Sequence, residues 1–329
     1  MGKIRIKDVA KKAGVSISTV SRVLNNSAPV KEELRKKVLE AVKQLQYEPN
    51  LIARSLKTGE TKTVGMILPD ISNPFFATVF RGAEDYLRKE GYSLVMGSSD
   101  NDYTEEKRLL DFFISRKVDG IIFAGIENYN PKIREILLQN EKIVFFDRIY
   151  EGINSSYVVS DNVGGMKQLI KYLVETGHKS FCLINGNREA FSAAERYKGF
   201  KIALEEFGVK DYKCLFGQFT FESAYEMVRS LENLPDAIVC GNDIMAYGAI
   251  DALVSMGYSI PTDVSVTGFD DLFFNKYFKP PLTTVKQPQY EMGEEAAKLL
   301  IKLLRNEPHQ NGVVLETTLV VRTSTAPRK

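Results

Sequence analysis

The chain has 329 residues, 44% of them hydrophobic, and a formal net charge of +2; this is enough apolar material for a large core and too much length for one average domain, so two or three units are expected. No run approaches the roughly 18 consecutive apolar residues a membrane helix needs, and the opening MGKIRIKDVAKKAG is charged with no apolar signal-peptide core, so a soluble cytoplasmic protein with no membrane partner is expected. Cys182, Cys214 and Cys240 lie far apart in apolar stretches, and His178 and His309 are the only histidines, which argues against a disulfide framework and leaves little material for a metal site.

Charge is unevenly spread. Residues 1–60 hold 13 Lys and Arg against 6 Asp and Glu, and the remainder holds 31 against 36. A basic head on a mildly acidic body is the asymmetry of a chain whose head alone meets phosphates. In the head, Lys7–Ala13 reads as a short helix broken by Gly14, and Ser16 can cap a second helix carrying Val20, Val23 and Leu24 at helical spacing. A third, Lys31–Leu45, places Leu34, Val38, Leu39, Val42 and Leu45 on one face, able to close a small core over the first two. Val15, Val20 and Val23 would anchor the second helix. That leaves Ile17, Ser18 and Arg22 exposed: Arg22 can pair bidentately with a guanine and Ile17 can touch a thymine methyl. Thr19, Ser21 and Asn25 are short hydrogen-bonding residues suited to phosphates. On spacing alone, a charged three-helix domain with a solvated helix remains the plainer alternative.

Residues 47–62, polar and holding Pro49 and Gly59, read as a linker. From Val64 short apolar runs alternate with amphipathic segments: VGMILP, SLVMG, VDGIIFAG, KIVFFD, YVVSD, SFCLING, AIVCG and VSVTGF, with helices such as Phe75–Lys89, Met166–Glu175 and Ala193–Phe207. Nearly all-apolar strands alternating with helices argue for parallel sheets covered on both faces. Eight such strands over residues 63–329 suit two doubly wound lobes: about 63–161 plus 291–322 in the first, and about 162–290 plus the C-terminal tail in the second. The chain would cross near Asp161. Ligands of such sheets sit beyond the carboxyl ends of the strands. There the sequence places Asn73, Phe75 and Phe76; Asp147 and Arg148; Arg196 at the head of a helix; and Phe219, Asn242, Asp270 and Gln287. Carboxylates, amides and guanidiniums among aromatic faces suit a polyhydroxylated ring. Singly, each has a plainer reading: Asn73 and Asn242 as helix caps, Asp147 and Arg148 as a surface ion pair, Phe75 and Phe76 as core, with Phe221 able to replace Phe219.

IKDVAKKAGVSISTVSRVLN followed by VLEAVKQLQYEPNLIARSLKTGETKTVGMILPD resembles the head and hinge of the lactose-repressor family. The resemblance implies a helix-turn-helix DNA-binding domain over residues 1–46, with Ser16 among its DNA contacts beside Ile17, Ser18, Thr19, Ser21, Arg22 and Asn25. It further implies a hinge helix on DNA within 47–62, where Asn50, Ala53, Leu56 and Lys57 meet the duplex and Leu56 wedges into the minor groove. An apolar wedge beside Arg54 and Lys57 makes physical sense, since cations hold the phosphates while the wedge opens a base step. The ten pocket residues resemble the set of the periplasmic ribose-binding proteins and of the ribose-repressor subgroup, and none departs in type. Together these resemblances imply an α/β periplasmic-binding-protein-type body and a homodimeric repressor of a sugar-utilisation operon. It would take double-stranded palindromic operator DNA and a sugar effector, ribose first, with no other cofactor.

Three alternatives stand beside this one. The first is a family member that answers to a purine or a sugar phosphate, or that acts as a carbon-catabolite regulator controlled by a phosphocarrier protein. A transport binding protein would need a signal peptide and no basic head. An enzyme is disfavoured because no GxGxxG, GxxxxGK[ST] or GxSxG motif is present.

Overall fold

The computed structural model describes residues 4–25, 28–47, 59–125, 130–150, 152–153 and 155–328, without the side chain of Asn25. It divides into two compact units, Met1–Thr61 and Lys62–Lys329.

The first unit contains α1 (Ile6–Ala13), α2 (Ile17–Asn25) and α3 (Glu32–Leu45). Helix α1 stops where Gly14 turns left-handed at φ 67°, a conformation that costs glycine nothing and other residues strain. Two residues on, the Ser16 hydroxyl accepts the Thr19 N–H at 3.1 Å and caps α2. Val9, Ala10, Val20, Val23, Val38 and Ala41 form the core between the three helices. Two positions differ from expectation. Leu39 does not join this core and is 47% exposed: it lies about 100° round the helix from Val38, and two short helices cover only the stripe centred on Val38 and Ala41. Tyr47, assigned to the linker, packs on the core instead, its N–H bonded to the Val42 carbonyl at 3.0 Å. The hinge positions Asn50, Ala53, Leu56 and Lys57 lie outside the described residues.

The second unit holds two six-stranded sheets. The first is built from β1 (Thr63–Leu68), β2 (Ser93–Ser98), β3 (Gly120–Phe123), β4 (Ile143–Phe146), β5 (Ser156–Ser160) and β11 (Gly312–Leu315), in the order β2-β1-β3-β4-β5-β11 and parallel throughout. The second uses β6 (Ser180–Asn185), β7 (Asp211–Phe216), β8 (Ala237–Cys240), β9 (Ser265–Asp270), β10 (Thr283–Lys286) and β12 (Thr318–Val320), in the order β7-β6-β8-β9-β10-β12. Among the described residues only the β10–β12 pair is antiparallel. The central strands β1, β3, β4, β6, β8 and β9 are buried almost end to end, as strands covered on both faces must be. The covering helices are α4 (Pro74–Lys89), α5 (Tyr103–Ser115), α6 (Pro131–Gln139), α7 (Asn162–Glu175), α8 (Phe191–Glu206), α9 (Phe221–Arg229), α10 (Asp243–Ser255) and α11 (Gln289–Leu304).

Sequence periodicity leaves β7, β10, β11 and β12 unseen. The first and last two are sheet edges with half-exposed residues, and β10 reads TTVK with valine as its one apolar residue, so none carries a long apolar run. The chain passes from the first sheet to the second at Asp161, returns before α11, and crosses again after Leu315. The expected 291–322 share of the first lobe is therefore too long: Thr318–Val320 pairs with β10 in the second sheet. The strands at the outer crossings are tied together, with Asp161 N–H on the Leu315 carbonyl at 2.8 Å and the Thr317 hydroxyl on the Asp161 carbonyl at 3.0 Å. Return helix α11 lies against α4 so closely that a Cβ on Gly293 would stand 1.8 Å from the Val79 carbonyl oxygen, and one on Gly82 1.9 Å from that of Tyr290.

Candidate functional site

Both sheets repeat one strand order, so each has a topological switch point, between β1 and β3 and between β6 and β8, and a cavity of about 200 Å³ lies off the carboxyl ends of both sets of strands. All ten residues named from the sequence line it. The turn after β1 supplies Asn73, Phe75 and Phe76. Asp147 and Arg148 follow β4, Arg196 stands in the second turn of α8, Phe219 follows β7, Asn242 follows β8, Asp270 ends β9, and Gln287 follows β10.

Several of the plainer readings hold together with the pocket reading. Asn73 caps α4 by accepting the Phe75 N–H at 3.0 Å, Asn242 caps α10 by accepting the Met245 N–H at 2.8 Å, and both face the cavity. Phe75 and Phe76 are buried edge to face at 5.0 Å, with Phe76 in turn against Phe146. Asp147 and Arg148 are not a surface pair, since each is 6% exposed. The aromatic after β7 is Phe219; Phe221 instead opens α9 and stacks on Tyr225. Glycine makes room for Phe219, because a Cβ on Gly186 would stand 2.3 Å from its ring.

Arg196 organises the deep end. Its Nε donates to Asn162 Oδ1 at 2.8 Å, one Nη donates to the Gly241 carbonyl at 2.5 Å, and its guanidinium lies 4.1 Å from the Phe269 ring centre. Burial lowers its pKa, an effect opposed by the charges of Asp270 and Asp147. Burial raises both carboxyls in turn, and Arg196 pulls each back, with Arg148 also acting on Asp147. Asp147 and Asp270 leave their strands at φ 59° and 132°, and a non-glycine residue at the latter value holds backbone strain of the kind found at binding sites. Gln287 Nε2 donates to Asp270 Oδ1 at 2.7 Å, and Arg148 donates to the Gly125 carbonyl. Three buried side-chain atoms of the cavity-lining residues have no protein partner among the described residues: Asp147 Oδ1, Arg148 Nε and Gln287 Oε1.

Asp70, Asn101, Tyr103, Asn187, Glu189 and Gln218 also line the cavity, beyond the residues expected from the sequence. Each follows a strand of one of the two sheets, so the strand-end rule could have found them once β7 was recognised.

In the head, Ile17 is 52% exposed and Ser18 and Arg22 are exposed, whereas Thr19 and Ser21 are half-buried. Ser16 is exposed, but its hydroxyl is engaged with Ser18 and Thr19 at 2.7 and 2.9 Å as well as in its cap. Among the described residues no group of His, Cys, Asp and Glu could hold a metal, and no helix is long and apolar enough to cross a membrane.

A helix-turn-helix head followed by a two-lobed body of this kind is the architecture of a DNA-binding transcriptional regulator. Residues 5–50 match the family model of bacterial regulatory proteins, lacI family, and residues 170–325 that of the periplasmic binding protein-like domain. The chain is 40% identical over 329 residues to the HTH-type transcriptional regulator RegA of Clostridium saccharobutylicum, covering 97% of this chain and 98% of that one. It is 37% identical over 324 residues to the ribose operon repressor of Bacillus subtilis (strain 168), again covering 97% and 98%. The lac repressor dimer bound to operator and the anti-inducer ONPF shares the fold, with a TM-score of 0.89 at 24% identity over 99% of this chain and 100% of that one. A LacI family regulator from Enterococcus faecium with bound ribose gives 0.74 at 30% identity over 81% and 100%. The chain belongs to the lacI family of bacterial regulatory proteins, and is a regulator and not an enzyme.

Proposed function

We propose that the protein is a cytoplasmic, homodimeric repressor of a sugar-utilisation operon, released from a palindromic operator when D-ribose occupies the cavity between its lobes. The observation that carries the effector assignment is the set of three partnerless buried atoms, Asp147 Oδ1, Arg148 Nε and Gln287 Oε1, beside the faces of Phe75, Phe76 and Phe219. Two are acceptors and one is a donor. Sugar hydroxyls donate and accept, and so can satisfy both kinds at once, while the C–H faces of the ring stack on aromatic rings. Each group left unsatisfied costs about 1–3 kcal/mol, so a ligand that answers all three gains both affinity and orientation. The ribose named for one relative and bound in one solved neighbour points the same way.

In this reading Ile17, Ser18 and Arg22 meet base edges in the major groove, Thr19, Ser21 and Asn25 hold phosphates, and Ser16 is a further DNA contact. In the same reading the hinge follows Tyr47, with Leu56 as wedge, Asn50, Ala53 and Lys57 beside it, and a central CG step between the half-sites. Sugar closes the lobes and shifts the dimer contact near the hinges. Coupling between two sites is reciprocal and typically about 1–3 kcal/mol, so saturating operator should weaken sugar binding by the same factor as sugar weakens operator binding.

The test is isothermal titration of the full chain with D-ribose, ribose 5-phosphate, xylose, glucose and hypoxanthine at fixed salt. Saturable binding of ribose is the expected result. Binding of hypoxanthine alone, or of none of the five, overturns the sugar assignment and leaves a family member answering to a purine or to a protein partner.

A further inference from the structure

Charge lines the cavity in two layers. The deep layer is balanced, with Asp147 and Asp270 against Arg148 and Arg196, and all four are buried. Arg196 is engaged with Asn162 and the Gly241 carbonyl, and Arg148 with the Gly125 carbonyl, which leaves Arg148 Nε as the one buried donor of these two guanidiniums without a partner among the described residues. The outer layer is not balanced. Asp70, in the turn after β1 of the first lobe, and Glu189, in the turn after β6 of the second, also line the cavity, and no further Lys or Arg does so among the described residues. Asp70 is fixed in place: its Oδ1 accepts both the N–H and the hydroxyl of Ser72, at 2.8 and 2.7 Å.

A ligand entering this cleft meets two unopposed carboxylates, one from each lobe, before it reaches a neutral floor. The floor in turn presents two buried acceptors, Asp147 Oδ1 and Gln287 Oε1, that call for donors, against a single partnerless donor, Arg148 Nε. A phosphate dianion has no donor to offer those acceptors, and it brings negative charge against two carboxylates of the same sign. We propose that Asp70 and Glu189 act as a charge filter that admits neutral polyols and rejects their phosphorylated forms, so that the regulator answers to the free sugar and not to its phosphorylated product. The filter rests on the sugar reading above and narrows it to one chemical class.

The test titrates two pairs, ribose with ribose 5-phosphate and glucose with glucose 6-phosphate, into the full-length wild type and an Asp70→Asn, Glu189→Gln double variant. Each titration is run at low and high salt. In the wild type the neutral member of any pair that binds should be favoured by about 100-fold or more at low salt, and the ratio should narrow at high salt, as screening requires and a purely steric filter does not. In the double variant the ratio should fall by about 10-fold or more. Comparing two ligands on one protein separates this effect from any general loss of folding. Equal or tighter binding of the phosphorylated member, or a ratio unmoved by the substitutions, overturns the filter while ribose binding itself would leave the sugar assignment standing. Discrimination within the glucose pair alone, with ribose silent, keeps the filter and removes ribose; silence from all four ligands overturns both.

Discussion

Arg196 is the residue on which the pocket's electrostatics turn, and Arg196→Met tests that role while keeping most of the side-chain stem. The change removes a hydrogen bond to Asn162, at the start of α7 just past the Asp161 crossing, and another to the Gly241 carbonyl at the end of β8. Charge-assisted bonds contribute about 1.5–3 kcal/mol each. It also removes the countercharge that holds down the Asp147 and Asp270 carboxyls. Relief of the guanidinium's own desolvation offsets part of this, and breaking a buried pair by deleting one partner leaves a net cost of about 3–5 kcal/mol. The carboxyls set the sign with pH. Their folded-state pKa values are already raised by burial and rise further without Arg196, so the folded variant keeps protons that the unfolded chain releases, and its stability falls as pH rises above the ordinary carboxylate range. The deficit against wild type should therefore be larger at pH 8 than at pH 5. With no tryptophan in the chain, urea unfolding followed by far-UV circular dichroism is the suitable measurement, with titration by ribose beside it. A deficit under about 1 kcal/mol, or one equal at the two pH values, would refute the assignment of Arg196 as the shared countercharge. Retained ribose binding by a folded variant would separately remove Arg196 from the binding site.

Three further outcomes are expected. Gly293→Ala, which drives a methyl to 1.8 Å from the Val79 carbonyl oxygen, should cost about 3 kcal/mol through overpacking, lowering Tm by roughly 6–12 °C at 2–4 °C per kcal/mol; an unchanged melting curve would mean α4 and α11 can part without penalty. Asp243 accepts bonds from Leu272 N–H, Asn275 Nδ2 and Thr284 Oγ1, yet burial outweighs them and pushes its carboxyl from the ordinary 3.8 up to about 7. A raised carboxyl makes stability fall as pH rises through that window and level off above it, so Asp243→Asn should flatten the slope of stability against pH between those limits, and an identical slope in the two proteins would rule the shift out. Leu56→Ala, from the hinge, should weaken operator binding more than binding to random DNA in a fluorescence-anisotropy assay; equal losses would mean that no wedge acts there.

The sequence by itself determined what depends on local pattern. Gly14 followed two residues later by a capping serine is enough to break and restart a helix, because both effects act within one turn of backbone. Central strands such as KIVFF and AIVCG announce burial on both faces by having no polar alternation. Asn73, Asp147, Arg148, Asn242 and Asp270 were legible for a related reason: polar side chains stand where such strands end, and strand ends are where a doubly wound sheet leaves room for a ligand, whereas Phe219 and Gln287 follow strands that periodicity leaves unseen and rested on the family resemblance.

Tertiary structure decided what depends on a partner distant in sequence. Leu39 lies about 100° round α3 from Val38 where Val42 lies about 40°, and only the extent of helix that α1 and α2 cover decides that the first stays exposed and the second packs on the core. Strands β7, β11 and β12 are strands because of the edges they complete, and β12 joins the second sheet because β10 offers it an open ladder of N–H and C=O groups. Gly82 and Gly293 look like ordinary helix-weakening glycines until α4 and α11 meet backbone to backbone. Asp70 and Glu189, which lie 119 positions apart in the chain, become one acidic rim only when two separate lobes bring their strand ends to the same cavity. Periodicity and turn chemistry are written residue by residue, whereas shared burial, close approach and summed charge exist only between segments that the fold has brought together.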